Sequence, residues 1–217
     1  MKRVRIHAIS PAILAGCCLL GLLAAGCGNA PPETAVPVPN PASEATRAPA
    51  PASPASNHAV LVTGSGEIEL ELLPDQAPLT VANFKQLAGG GFYDGTTFHR
   101  VIKDLLIQGG DPNSKDPNPL NDGLGTSGSF VKFEANDEPM TAGAVAMARD
   151  PDNRDSASCQ FFICLKDQPK WQGEYAIFAR VRGGLEVAGK ISRVSVGTGQ
   201  LAEHPIFKQA IERIEFR

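Results

Sequence analysis

In the stretch Gly66–Pro74, GEIELELLP, the carboxylates Glu67, Glu69 and Glu71 alternate with Ile68, Leu70 and Leu72. A period of two fits a β-strand with one wet and one buried face, and a helix cannot sort such residues. A strand of this kind needs partners for its backbone and an apolar cover for its inner face. The chain from His58 onward supplies candidates in the same format. HAVLVT (58–63) precedes it across Gly64-Ser65, which predicts a hairpin. Further short apolar runs follow, punctuated by Gly, Pro, Asn and Asp: TTFHRVI (96–102), LLIQGG (105–110), GAVAMA (143–148), QFFICL (160–165), YAIFARV (175–181) and QAIERIEF (209–216). Two stretches have helical spacing instead. In LTVANFKQLAGGG (79–91), Val81, Phe84, Leu87 and Ala88 share a face, Thr80 is the candidate N-cap, and three glycines end the helix. GLEVAGKISR (184–193) reads as a second, shorter helix. Many antiparallel strands with two helices predict a barrel, because closure removes exposed sheet edges.

Upstream of His58 the composition changes twice. MKRVR, an apolar run from about Ile9 to Ala25, and then LLAAGCGN read as a targeting segment. The run contains Pro11 and is short for a membrane span. Its small-small-Cys ending resembles a bacterial lipoprotein signal, with Cys27 as the lipidated first residue of the mature chain. Leu14-Ala15-Gly16-Cys17 is a second match to such a site, and an uncleaved anchor or an ordinary secretory signal is the remaining alternative. Each of these sends the domain out of the cytoplasm. Residues 28–57 hold eight prolines, eight alanines and no aromatic residue. Such a segment has too little apolar area to offset its ordering, and it predicts an extended tether reaching at most about 90 Å at ~3.1 Å per residue. The predicted organisation is therefore a signal at 1–27, a tether at 28–57 and one domain at 58–217.

Charge and cysteine content narrow the function. Without residues 1–27 the chain carries 17 basic and 23 acidic side chains, a net of −6. This is no basic footprint for a nucleic acid. With 42% hydrophobic residues the chain as a whole is not a disordered one. Cys159 and Cys164 lie in SCQFFICL. On an extended strand they would stand about 15 Å apart, beyond disulfide reach, so both read as free apolar residues. Two cysteines also make a poor metal site.

One run mixes core and chemistry: TFHRVIKDLLIQGGD (97–111) carries His99, Arg100 and Gln108 among apolar residues. It is either a strand with a wet face or the floor of a shallow groove. On a strand, His99 and Val101 point one way and Arg100 and Ile102 the other, with Gln108 able to come beside them from the next strand. Phe161 and Phe162 likewise alternate, and Phe161 is assigned to the core. Gly109-Gly110-Asp111 reads as a strand-end turn, since no helix with a Lys or Ser/Thr follows to make a phosphate cradle.

Taken in order, TVANFKQLA, FYDGTTFHRVI, LIQGGD, GTSGS, KFEAN, GAVAMAR, SASCQFFICL and YAIFARV are similar to the motifs of the cyclophilin-type peptidyl-prolyl cis-trans isomerases, and they cover nearly all of 58–217. The resemblance implies a mainly β fold: a closed eight-stranded antiparallel barrel capped by two α-helices, with a groove on its outside. It implies an enzyme that turns X–Pro bonds in polypeptides, as a monomer, without metal or other cofactor. Arg100 takes the place of the catalytic arginine and Gln108 that of the glutamine holding it. Phe162 and Leu106 take the places of the proline-pocket aromatic and methionine. His99, Ile102, Leu105, Ala148 and Gln160 fall on other groove positions. The chain departs from the pattern at Leu105, where Phe is common, at Leu106 for Met, at Arg149 for Asn and at Tyr175 for His. Lys170 holds the familiar tryptophan position, which implies weak cyclosporin binding. The neighbouring Trp171 fits either a groove wall or a surface plug. A non-enzymatic module that binds Pro-containing or unfolded chains is the alternative on the same fold, and Arg100, Gln108 and Phe162 favour the enzyme.

Overall fold

The alternating stretch is a strand, β2 (Gly66–Leu72), and it pairs in a tight hairpin with β1 (His58–Thr63), Thr63 facing Gly66 across the turn. The computed structural model describes residues 56–217; the predicted signal, Cys27 and nearly all of the predicted tether lie outside the described residues. Six more strands follow: β3 (Arg100–Ile102), β4 (Leu106–Gly109), β5 (Ala144–Met147), β6 (Phe161–Cys164), β7 (Ile177–Gly183) and β8 (Ile211–Phe216). All pair antiparallel in one sheet of order β3-β4-β6-β5-β7-β2-β1-β8.

The sheet curls without closing into the expected barrel, and β3 and β8 remain its two edges. The reason lies in Thr96–His99, read above as part of one long strand. There Thr97 makes one isolated bridge to Ala210 and one to Asp111, and β3 itself is only Arg100–Ile102, so no continuous ladder joins it to β8. The gap between the edges is spanned by single backbone bonds, from Phe98 N to Gln209 O (2.9 Å) and from Ile211 N to Thr96 O (2.7 Å). The free side of β3 is covered by an irregular segment, with Val101 N donating to Glu203 O at 2.7 Å.

Helix α1 (Pro78–Gly89) inserts Phe84 among Tyr93, Phe161 and Phe178, with ring centroids 5.2–5.9 Å apart. The helix starts three residues earlier than a Thr80 N-cap would allow. Pro78 suits the first turn, since its missing N–H is an orphan there in any case. The acceptor comes instead from Glu134, whose carboxylate takes Leu79 N and Thr80 N, each at 2.8 Å, and the Thr80 hydroxyl at 2.6 Å. Helix α2 (Leu185–Ser192) buries Val187, Ala188 and Ile191.

The sheet is apolar on both faces in its centre. Val145, Met147, Phe161, Ile163 and Phe178 join the main core, while Ala144, Ala146, Phe162, Cys164 and Ile177 form a second cluster on the outside. A register shift between Val145 and Ala146 lets β7 turn both Phe178 and Ala179 inward while Ile177 faces out. Both cysteines are free and buried. Burial pushes the Cys159 thiol up to about 11 and the Cys164 thiol to about 12, so neither is a ready thiolate.

Candidate functional site

Residues directly opposite in an antiparallel ladder share a face. Arg100 pairs with Gln108, Gln108 with Phe162, Phe162 with Ala146 and Ala146 with Ile177. Four ladders thus line up a guanidinium, an amide and an apolar floor in one row across the outer face. A second row, Ile102, Leu106 and Cys164, runs beside it. The two residues between Arg100 and Ile102 on one side and Gln108 and Leu106 on the other, Val101 and Ile107, go to the core.

The polar end of the row is wired together. Arg100 Nη1 donates to Gln108 Oε1 at 3.3 Å, and Gln108 Nε2 donates to Gln160 Oε1 at 3.1 Å. Gln160 Nε2 in turn donates to the carbonyls of Gly123 (3.0 Å) and Gly125 (2.9 Å). On its far side Arg100 Nε donates to Glu203 Oε2 at 2.6 Å. With about a third of its side chain exposed, Arg100 is held from two directions, and no hydrogen-bond partner among the described residues takes its Nη2. Glu203 escapes a reading of the sequence. It is 103 residues away in an irregular loop and belongs to no motif.

The apolar end is a packed aromatic cluster. Phe162 is almost covered, at 4% exposure, and its ring is met edge-on by Trp171 (6.0 Å) and Tyr175 (5.0 Å). Trp171 thus packs against the cluster, partly buried, while Lys170 beside it stays exposed. Ala148 packs partly buried against the same cluster, and Ala148 N donates to Gln160 O at 2.9 Å. Arg149 has its side chain committed elsewhere. Its Nε donates to Glu174 O, its Nη1 to the carbonyls of Asp150 and Pro151, and its Nη2 to the Glu174 carboxylate, all at 2.9–3.1 Å. The guanidinium lies 5.2 Å from the Tyr175 ring centre. It braces the wall and does not reach out to a ligand. Leu105 is partly buried in the β3–β4 turn, off the row.

His99, like Leu105, is an expected groove residue that lies off the row. It lies outside the strand ladder, 5% exposed. Its ring lies under the 121–125 loop, beside Gly123. That loop is pinned by the fully buried Asp111, whose carboxylate accepts from Asn113 N (2.8 Å), Gly125 N (3.3 Å) and Gly123 N. His204 reaches Asp122 Oδ2 at 2.7 Å. His99 thus supports, from below, the loop whose carbonyls orient Gln160.

Residues 58–215 match the family model described as cyclophilin type peptidyl-prolyl cis-trans isomerase/CLD. Peptidyl-prolyl cis-trans isomerase B of Bacillus subtilis is 42% identical over 63% of this chain and 90% of its own length. Peptidyl-prolyl cis-trans isomerase A of Dickeya dadantii is 40% identical over 67% and 76%. A crystal structure of a Cryptosporidium parvum cyclophilin type peptidyl-prolyl cis-trans isomerase, in the presence of the dipeptide Ala-Pro, superposes with a TM-score of 0.66 at 28% identity, covering 74% of this chain and 98% of that one.

Burial lowers the His99 pKa from its ordinary value, against the opposing pull of Asp111 and Asp122, with His204 adding to the lowering. The unfolded chain then binds a proton at His99 near pH 6.5 that the folded chain refuses, so stability should fall as pH drops below that value, by at most about 1.4 kcal/mol per pH unit. Urea unfolding at pH 7 and pH 5 should show a smaller pH loss for His99→Leu than for the parent chain. Equal losses would mean that His99 is not held neutral.

Proposed function

Because the chain belongs to the cyclophilin-type peptidyl-prolyl cis-trans isomerases, we propose that the outer-face row is its catalytic surface, with Arg100 as the group that lowers the barrier to X–Pro rotation. The observation that carries this is the cross-strand row itself: a guanidinium and an aromatic floor, with Gln108 between them.

The reaction makes and breaks no covalent bond. Its barrier is the partial double-bond character of the amide, about 18–20 kcal/mol. As the bond twists, the prolyl nitrogen becomes pyramidal and regains a lone pair. A donor placed beside that nitrogen binds the twisted form and not the planar one, which is the difference that accelerates a reaction. Arg100 suits the task because its guanidinium stays protonated and offers several donors in a rigid plane. Glu203 and Gln108 take Nε and Nη1, and Nη2 remains as a donor for the prolyl nitrogen. Phe162 and Leu106, walled by Trp171 and Tyr175, hold the proline ring while the preceding residue turns. The substrates are Pro-containing polypeptides, in keeping with the Ala-Pro dipeptide present with the similar structure.

The N-terminal sequence supports action outside the cytoplasm, on unfolded or newly exported chains, with the domain anchored through a lipid on Cys27. Intact-mass analysis of the mature chain should find lipid on Cys27; lipid on Cys17, or none, contradicts the anchor.

Loss of a donor that acts in the transition state costs roughly 10²–10³ in rate, about 2.7–4 kcal/mol. Arg100→Ala should lose that much kcat/KM in a protease-free peptide assay, with an unchanged circular dichroism spectrum. Arg100→Lys should recover little, since an ammonium cannot copy the planar fork. Phe162→Ala should raise KM as well as lower kcat. A folded Arg100→Ala chain that keeps more than half the parent rate contradicts the mechanism.

A further inference from the structure

The chain of hydrogen bonds through Arg100, Gln108 and Gln160 ends on two loops. At one end Glu203 Oε2 accepts from Arg100 Nε, and at the other the carbonyls of Gly123 and Gly125 accept from Gln160 Nε2. The residues next to these two anchors touch each other: His204 Nε2 lies 2.7 Å from Asp122 Oδ2. An ionised carboxylate can only accept, so His204 Nε2 carries the hydrogen of this bond. Among the described residues it is the one hydrogen bond that joins residues 121–125 directly to residues 203–205. The contacts therefore form a ring. It runs from Arg100 to Glu203, along the chain to His204, across to Asp122, along the chain to Gly123, and back through Gln160 and Gln108.

The tie is shielded from water, with the Asp122 side chain 5% exposed and that of His204 16%. Asp122 Oδ1 is buried without a hydrogen-bond partner among the described residues, so the carboxylate depends on His204. Removing the imidazole would leave a buried charge unpaired, which is strongly unfavourable, and the loop that carries it would shift toward water. Other contacts hold each loop by its backbone. Asp111 accepts from the amides of Gly123 and Gly125, and Val101 N donates to Glu203 O at 2.7 Å. The His204–Asp122 pair sets one loop against the other. His99, the residue before Arg100, feels the charge of both partners, which places the pair beside β3.

Resting on the reading of Arg100 as the catalytic donor, we propose that His204 and Asp122 are positioning residues for it: a latch that keeps the anchors Glu203 and Gly123 at the spacing that lines the guanidinium up with the prolyl nitrogen. The latch belongs to the polar end of the row, whereas the proline's platform is Phe162 and Leu106. It therefore governs turnover and leaves proline binding largely alone.

The test measures kcat and KM of the full chain in detergent micelles, in the protease-free peptide assay, for His204→Leu, Asp122→Leu and the double variant. A ¹⁵N spectrum of the Arg100 Nε–H group is recorded for each. A small misplacement of a catalytic group can cost about 10²-fold in rate, so each single variant should lose about 10- to 100-fold in kcat with KM within about twofold of the parent. The double variant should lose no more than the worse single one, since either change breaks the same tie. The Arg100 Nε–H resonance should move in all three. His204→Gln, which keeps a donor, should retain about half or more of the parent kcat. Where a leucine variant does not fold, His204→Asn, polar but too short to keep the contact, supplies the comparison under the same criteria. A folded His204→Leu chain with the parent kcat, while Arg100→Ala loses its rate, would overturn the inference and leave the proposed function intact. A loss of kcat with the Arg100 resonance unmoved, or a loss confined to urea stability, would also overturn it, by showing a structural role. An Arg100→Ala chain that keeps its rate would overturn both readings.

Discussion

Everything at the site hangs on the register of β4, the strand between β3 and β6. Because side chains alternate, a slip of one residue would turn Gln108 into the core and Ile107 out to the groove. Two devices pin the register. Ile107 is completely buried in the core. Beyond it Gly109 and Gly110 pass so close to their neighbours that a Cβ would lie 2.9 Å from Thr97 O at the first and 2.8 Å from Cys159 O at the second. Gly110 also has a φ of +86°, which an L side chain rarely adopts. The Gly-Gly-Asp that follows the apolar run is thus what locks it, and Asp111 then anchors the loop over the groove's polar end.

A sheet that is apolar on both faces has to put its polar groups where they are satisfied, because a buried unpaired group costs about 1–3 kcal/mol. Here Arg100, Gln108 and Gln160 form one chain of hydrogen bonds from Glu203 to the glycine carbonyls of the 121–125 loop. The Arg100–Glu203 pair is too exposed to add much stability; with Gln108 it holds the guanidinium from two sides. Arg149 works the same way at the other end, bracing Glu174 and Tyr175.

Much of this was legible in sequence because it is local. Period-two alternation located β2, β8 and the split between Phe161 and Phe162. The family motifs placed Gln108 and Gln160 beside Arg100. What escaped depends on contacts between distant segments. Glu134 caps α1 from 54–55 residues away, so Thr80 looked like the cap. Glu203 reaches Arg100 across 103 residues. Closure of the barrel failed because one isolated bridge, Thr97 to Ala210, takes the place of a ladder between its edges, which no local pattern records. His99 was carried to the groove by its motif, although its own alternation with Arg100 pointed inward.

The central claim is that one cross-strand row binds the proline and carries the catalytic donor. A crystal structure of residues 58–217 with an Ala-Pro-containing peptide tests it most directly. The account predicts the proline ring against Phe162 and Leu106, with Arg100 Nη2 within about 3.2 Å of the prolyl nitrogen, a normal hydrogen-bond distance. A peptide bound away from that row, or an Arg100 that stays turned to Glu203 with no donor at the nitrogen, would contradict it.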